Sequence, residues 1–242
     1  MVEAFAVASR KGGTGKTTST LALGMALAAE YDVTVVDADT GVANLLFHAG
    51  LADVETTLHD VLLSDDPAPV EATVYERFGM KVVPCGMNFA DFEAADPNRP
   101  KHVVAQLAAD TDVLLLDSPT ALDSKSAVLP IVLANPIIDV LELTIPALSE
   151  ALKVQEYARL YGTGTAGVLF NKVRDEVGID RIADQAERYF DGPTLATVPA
   201  SESGRTARTR RFGGSRPSLL QQIILSENGL TCTTSRERTS ST

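Results

Sequence analysis

Short apolar runs recur along the chain, and segments with helical periodicity lie between several of them. The apolar runs are continuous rather than alternating, which is typical of strands covered on both faces of a sheet. The pattern therefore predicts an α/β fold with a doubly wound, mostly parallel sheet and helices on both faces. The predicted strands are 5–8, 33–36, 81–83, 113–116, 137–143, 168–170 and 195–198. Apolar residues at three- or four-residue spacing predict helices over 17–29, 149–161 and 179–190.

Polar side chains follow several of these predicted strands directly. Ser9 follows the first, Asp37 and Asp39 follow the second, Asp117 follows the fourth and Asn171 follows a later one. Because ligands of open α/β sheets bind at the carboxyl ends of the strands, these residues are candidates for one binding site.

A glycine-rich segment, KGGTGKTT from Lys11 to Thr18, lies between the first predicted strand and the first predicted helix. Glycines allow the backbone to curl so that its N–H groups converge on an anion, and the dipole of the following helix favours the same anion. Lys16 can reach the β- and γ-phosphates of a nucleotide, and the Thr17 hydroxyl can ligate Mg²⁺. The segment therefore predicts a phosphate-binding loop, whose nucleotide-binding residues are Gly12, Gly13, Thr14, Gly15, Lys16, Thr17 and Thr18.

The loop differs from the general P-loop pattern at one position, because Arg10 stands where that pattern has glycine. Lys11, directly before the glycine pair, instead gives a segment that closely resembles the deviant Walker A loop of the MinD/ParA family of P-loop ATPases. The resemblance implies a P-loop NTPase fold, binding of ATP or ADP with Mg²⁺, and catalytic roles for Lys11 and Lys16. It also implies an ATP-dependent homodimer in which Lys11 reaches the partner's nucleotide as a finger supplied in trans.

The segment from Asp37 to Leu45 resembles switch I in the MinD branch of this family. The resemblance implies that Asp39 positions and activates the attacking water and that Asp37 lies beside Mg²⁺ and its waters. An acidic turn in solvent is the alternative interpretation of this pair. Asp117 ends an apolar strand, as a Walker B carboxylate does, which makes it the third predicted metal residue beside Thr17 and Asp37.

Two further segments resemble those that surround the adenine base in this family. Asn171 is similar to an asparagine that hydrogen-bonds the base, although an asparagine that caps a turn is the alternative. Pro199 lies in a segment, 198–202, that resembles the loop lining the other side of adenine, where we expect backbone contacts only.

Composition separates the chain into two parts. Residues 1–204 carry 14 Lys and Arg against 30 Asp and Glu, and residues 205–242 carry 7 against 2, so the net charge is −16 in the first part and +5 in the second. We therefore predict a P-loop ATPase domain over 1–204 and an atypical basic, Ser/Thr-rich segment over 205–242. The acidic body makes nucleic acid an unlikely partner and suits a high-salt cytoplasm, which predicts a halophilic source.

No apolar run is long enough to span a bilayer and the N-terminus has no signal-peptide pattern, so we expect a cytoplasmic protein. Peripheral attachment to a membrane is the alternative. The apolar face formed by Leu219, Leu220, Ile223 and Ile224 is short, however, and packing against the body is favoured. The two cysteines, Cys85 and Cys232, form neither a disulfide framework nor a metal cage.

The resemblance favours a MinD-like ATPase that cycles between ATP-bound dimer and monomer and positions a division or polar structure with an unidentified protein activator or cargo. One alternative is a nonhydrolytic ATP-binding scaffold, because Ala121 stands near a position where the family usually has a switch II glycine. Another is a ParA-like DNA-partitioning ATPase that uses the arginines between Arg205 and Arg211.

Overall fold

The structure, a computed structural model, describes residues 2–39, 44–86, 98–120, 125–174, 190 and 192–200, with the backbone alone for 125–127. Within these residues eight strands form one sheet, in the order β3-β4-β2-β5-β1-β6-β7-β8. The strands are β1 (Glu3–Ala8), β2 (Val33–Asp37), β3 (Tyr75–Arg77), β4 (Met80–Val83), β5 (Val113–Asp117), β6 (Ile137–Glu142), β7 (Thr165–Val173) and β8 (Thr194–Pro199). The helices are α1 (Lys16–Leu27), α2 (Asn44–His48), α3 (Leu58–Leu62), α4 (Arg99–Ala109), α5 (Lys125–Leu133) and α6 (Ile145–Leu160), together with a 3₁₀ turn (Val70–Thr73).

Apart from the antiparallel pair β3–β4, all neighbouring strands of the sheet are parallel. Successive residues of one strand pack into different clusters: Phe5 and Val7 pack with α1, whereas Ala6 and Ala8 pack with α4, α5 and α6. Since side chains alternate between the faces of a strand, both faces of the sheet are covered by helices. The predicted fold class is confirmed.

Some helices and strands differ from the predictions, and helix capping and side-chain exposure explain two of these differences. Helix α6 begins at Ile145, four residues before the predicted start, because the Thr144 side chain accepts a hydrogen bond from the Ala147 N–H at 3.4 Å and Pro146 occupies the first turn. Strand β3 was not predicted, since its half-buried and exposed residues form no apolar run. Helices α2 to α5 were not predicted either.

The prediction that Asn171 follows a strand is wrong, because β7 extends to Val173 and Asn171 lies inside it. Several other predictions concern residues outside the described part of the chain: the helix over 179–190 except Phe190, the switch residues 40–43, Ala121, and the segment 205–242 with its boundary. The halophilic source also stays a prediction. Among the described residues, no helix combines the length and the apolar character needed to cross a membrane.

Candidate nucleotide-binding site

The glycine-rich loop connects β1, which lies between β5 and β6 in the sheet, to α1 at the carboxyl end of the strand. Gly13 and Gly15 have φ of 77° and 87°, in the left-handed region that favours glycine, and Gly15 caps the start of α1. A Cβ atom added at Gly12 or Gly13 would meet no atom of the described residues within 4 Å, so this part of the chain leaves space open beside the loop. At Gly15 the added atom would collide with the amide nitrogen of Asn171.

Two hydroxyl groups support the loop from inside. Thr14 Oγ1 donates to Ser9 Oγ at 3.0 Å, and Ser9 Oγ donates to the Lys11 carbonyl at 3.4 Å. Both side chains are buried. Thr14 therefore contributes to the shape of the loop, whereas the predicted binding residue Thr18 lies exposed on the first turn of α1.

Lys16 and Asp117 form a buried ion pair beneath the loop. Lys16 Nζ lies 3.1 Å from Asp117 Oδ1, with 8% and 1% of the side chains exposed. Thr20, one turn after Lys16, donates its hydroxyl to the same oxygen at 3.0 Å. Within the described part of the chain, Asp117 Oδ2 is buried without a hydrogen-bond partner. One carboxylate oxygen is thus anchored by the loop helix and the other is left to accept a further ligand.

Asp37 lies beside Asp117 because the two residues are paired in register on β2 and β5. Asp37 is fully buried; Oδ1 accepts the Asp39 N–H at 3.2 Å and Oδ2 accepts the Leu45 N–H at 3.3 Å. Burial raises the pKa of the Asp37 carboxyl, and the negative charge of Asp117 raises it further. Two neighbouring buried carboxylates repel each other, so a bound cation would stabilise their charged forms.

These residues fit a magnesium ion bound with nucleotide phosphates. Mg²⁺ prefers hard oxygen ligands, and three are available: Asp117 Oδ2, which has no partner among the described residues, the Asp37 carboxyl and the hydroxyl of the buried residue Thr17. The open side of Gly12 and Gly13 fits an anion that approaches the backbone closely. The structure thus brings together the three predicted metal residues and the predicted phosphate loop.

Lys11 contacts an acidic residue of its own chain. Its Nζ lies 3.1 Å from Glu142 Oε2, and Lys172 Nζ lies 3.3 Å from the other oxygen of that carboxylate. The hydrogen bond from Lys11 lowers the pKa of Glu142, and the one from Lys172 adds to the effect. Arg10 Nε lies 2.9 Å from Glu150 on α6. The role of Lys11 in trans stays a prediction, and it would require Lys11 to leave Glu142.

Asn171 lies against the loop, where Nδ2 donates to the Thr14 carbonyl at 2.7 Å and Oδ1 accepts the Lys172 N–H at 2.9 Å. Pro199, the last residue of β8, is paired in register with Val173, two residues beyond Asn171. Both predicted base-side residues therefore lie at the same end of the sheet as the phosphate loop. Asp39 is buried next to Asp37.

Three residues of this site were missed by sequence reasoning: Thr20, Glu142 and Lys172. Thr20 lies four residues after Lys16, so both side chains are expected on the same face of α1. This spacing could have predicted Thr20 as a second hydrogen-bond donor. Glu142 and Lys172 lie near the carboxyl ends of β6 and β7, the edge at which ligands bind in such sheets, and this placement is the signal that could have found them.

A parallel sheet covered by helices, with a glycine-rich lysine loop after β1 and acidic residues ending β2 and β5, defines a P-loop nucleotide-binding domain. Residues 5–210 match the CobQ/CobB/MinD/ParA nucleotide binding domain, and the chain belongs to this family. The predicted membership of the MinD/ParA group of P-loop ATPases is confirmed.

Similar proteins come from several organisms. An uncharacterized ATP-binding protein of Methanocaldococcus jannaschii is 33% identical over 212 residues, covering 86% of this chain and 78% of the relative. The septum site-determining protein MinD of Thermotoga maritima is 30% identical over 213 residues, covering 84% and 77%. The structure of MinD from Pyrococcus horikoshii complexed with Mg-ADP has a TM-score of 0.72 and 30% identity, covering 83% of this chain and 82% of that one.

Proposed function

We propose that this protein is a MinD-like ATPase that binds Mg-ATP at the 11–18 loop, dimerises on ATP and hydrolyses it. The observation that carries the proposal is the Asp117 carboxylate, which is held by Lys16 and Thr20 through one oxygen and is unpartnered at the other, within the described residues. An oxygen held in this way, beside an open glycine loop, suits a metal ion that accompanies phosphates. The ATP-binding relative and the MinD protein complexed with Mg-ADP support this ligand.

In this proposal each residue of the site has a separate role in phosphoryl transfer. Gly12, Gly13 and Gly15 let the backbone approach the phosphates, and Lys16, already directed toward Asp117 across the site, offers its ammonium to them. Thr17, Asp37 and Asp117 would hold Mg²⁺, which supplies charge neutralisation of the phosphate oxygens when it is bound. Asp39 positions the attacking water.

Lys11 completes the site of a second subunit in this proposal. Its side chain is 50% exposed and forms an ion pair with Glu142. Because surface ion pairs contribute little stabilisation, Lys11 can exchange Glu142 for a phosphate of the partner's nucleotide. Dimerisation would then depend on ATP, and hydrolysis would reverse it. The cycle would position a cytoplasmic cargo through a protein activator.

Base recognition in this proposal comes from the carboxyl ends of β7 and β8. Asn171 would hydrogen-bond adenine, and the backbone around Pro199 would line the other side of the base. The contact of Asn171 with the Thr14 carbonyl supports this role, because it places the amide beside the phosphate loop, where the nucleotide must pass.

The test is phosphate release together with solution mass, both with Mg-ATP. The wild type should release phosphate and shift from monomer to dimer, whereas Asp39→Ala should bind ATP and remain dimeric without release. Asp53→Ala, which removes an equal charge at an exposed position, is the matched control. Bound ATP without release or a change in mass would instead identify the nonhydrolytic scaffold, and ATP-dependent binding of DNA would identify the partitioning ATPase.

A further inference from the structure

Two consecutive residues of β7 donate hydrogen bonds to two consecutive carbonyl groups of the phosphate loop. Asn171 Nδ2 donates to the Thr14 carbonyl, and Lys172 Nζ donates to the Gly13 carbonyl. Neighbouring side chains of a regular strand point to opposite faces of the sheet. Ordinary strand geometry would therefore allow only one of the two residues to reach the loop.

A local backbone feature makes both contacts possible. Lys172 has a φ of 55°, which is uncommon for a residue other than glycine, and its N–H is held by Asn171 Oδ1. The register between β7 and β8 also shifts between Phe170 and Val173. Irregularities of this kind redirect a side chain, and here they turn Lys172 toward the loop.

The Lys172 ammonium has a second anchor on the neighbouring strand. Glu142 is paired in register with Asn171, and its Oε1 lies 3.3 Å from Lys172 Nζ. The ammonium is thus held between a carboxylate of β6 and a carbonyl of the loop, although 48% of the side chain is exposed. The loop thus contacts β6 through Lys11 and Glu142 and β7 through Gly13 and Lys172, and both strands lie more than a hundred residues later in the sequence.

We infer that Lys172 is a positioning residue of the phosphate loop. Its hydrogen bond holds the Gly13 carbonyl on the side of β7 before any anion is bound. A glycine-rich loop loses much conformational freedom when it is ordered, and a loop that is already ordered binds its anion more tightly. The inference rests on the proposed function, in that the anion is the phosphate group of a nucleotide.

The first test compares amide hydrogen exchange of loop residues 11–15 in the nucleotide-free protein. Lys172→Met keeps most of the stem and removes the donor, so we expect exchange in the loop to become about threefold faster, the size of effect that one exposed charged contact supplies. Lys81→Met is the matched control, because the Lys81 ammonium also donates to a backbone carbonyl, that of Asp110 at the end of α4, at 2.7 Å. Unchanged loop exchange in Lys172→Met, or an equal change in Lys81→Met, would overturn the inference.

The second test measures the affinity for inorganic tripolyphosphate and for ADP, each with Mg²⁺, at low and at molar KCl. We expect Lys172→Met to weaken both ligands by about threefold to fivefold at either salt concentration, because a loop contact is local, whereas attraction between distant exposed charges is screened by salt. A loss that vanished in molar KCl would show that Lys172 acts only through its charge and would overturn the inference. If the wild type bound neither ligand, the nucleotide function would fail, and the exchange comparison alone would decide the role of Lys172.

Discussion

Replacement of Asp139 by valine should stabilise this protein. Asp139 lies in the middle of β6 with 1% of its surface exposed, on the same face as Ile137 and Leu141, which pack with α6. Neither carboxyl oxygen has a hydrogen-bond partner in the part of the chain that the structure describes. A buried polar group without a partner lowers the free energy of unfolding, and an apolar side chain at this position would remove that destabilising effect.

The expected magnitude follows from this environment. An unsatisfied buried polar group costs about 1–3 kcal/mol, and valine has a similar size and suits a strand, so the free energy of unfolding should rise by about that amount. For a domain of this size, each kcal/mol corresponds to about 2–4 °C in Tm.

The effect should also depend on pH, because burial raises the pKa of the Asp139 carboxyl. Between the unfolded pKa of about 3.9 and the raised folded value, the folded state binds more protons, and wild-type stability falls as pH rises. The advantage of valine should therefore be larger at pH 8 than at pH 5.

The assay is urea unfolding of the wild type, Asp139→Val and Asp139→Asn at pH 5 and pH 8. Asp139→Asn keeps a polar group and removes the titration, so it should reduce the pH dependence with a smaller gain in stability. Thr34→Val is the matched control, because the Thr34 hydroxyl is also buried in a strand but donates to Thr111 Oγ1 at 3.2 Å, so its loss should destabilise. A destabilised Asp139→Val protein would contradict the prediction and indicate that water in the adjoining pocket, which Ser9 and Thr14 line, satisfies the carboxyl group.

Four further predictions concern the nucleotide site. Asp39→Ala should lower phosphate release by about a hundredfold or more while ATP binding persists, and substantial release would remove Asp39 from the mechanism. Lys11→Ala should abolish the ATP-dependent change in solution mass but retain ADP affinity within about threefold; a dimer that still formed would contradict the role in trans. Glu142→Gln, compared in a Lys172→Met background that removes the second contact of this carboxylate, should lower the ATP concentration at half-dimerisation by about threefold, because Lys11 no longer has to leave a carboxylate. An unchanged midpoint would show that this contact does not oppose dimerisation. Gly15→Ala should weaken ADP binding by about tenfold or more in a titration, since a left-handed φ and a collision with Asn171 both distort the loop; wild-type affinity would contradict the steric argument.

The phosphate loop and the sheet could be predicted from sequence because their determinants are local. Glycines, a lysine and the start of a helix occur together in residues 11–18, and backbone conformation at Gly13 and Gly15 depends on those residues themselves. Buried parallel strands such as β5 appear as unbroken apolar runs, because helices cover both sides. Exposed β3 gives no such signal and was missed.

Base-side geometry was only partly predictable. The base-binding role of Asn171 stays a prediction. Its place inside β7 was not predicted, because the irregular register near Phe170 and the left-handed φ of Lys172 depend on pairing with β8 and on contacts with the loop. The early start of α6 was readable in principle, since the Thr144 cap and Pro146 lie in sequence beside the helix.

The family, the fold class and the identity of the loop that would hold phosphates are all encoded in short stretches of sequence. The side chains that surround the loop, in contrast, come from distant positions and meet only in the folded chain: Asp117 meets Lys16 across 101 positions of sequence, Glu142 meets Lys11 across 131, and Lys172 meets Gly13 across 159. The same is true of Asp139, because its lack of a hydrogen-bond partner among the described residues depends on what packs over β6. The physical reason is that periodicity and turn residues act on near neighbours, whereas contacts between distant residues follow from the order and register of the strands, which local preferences do not encode.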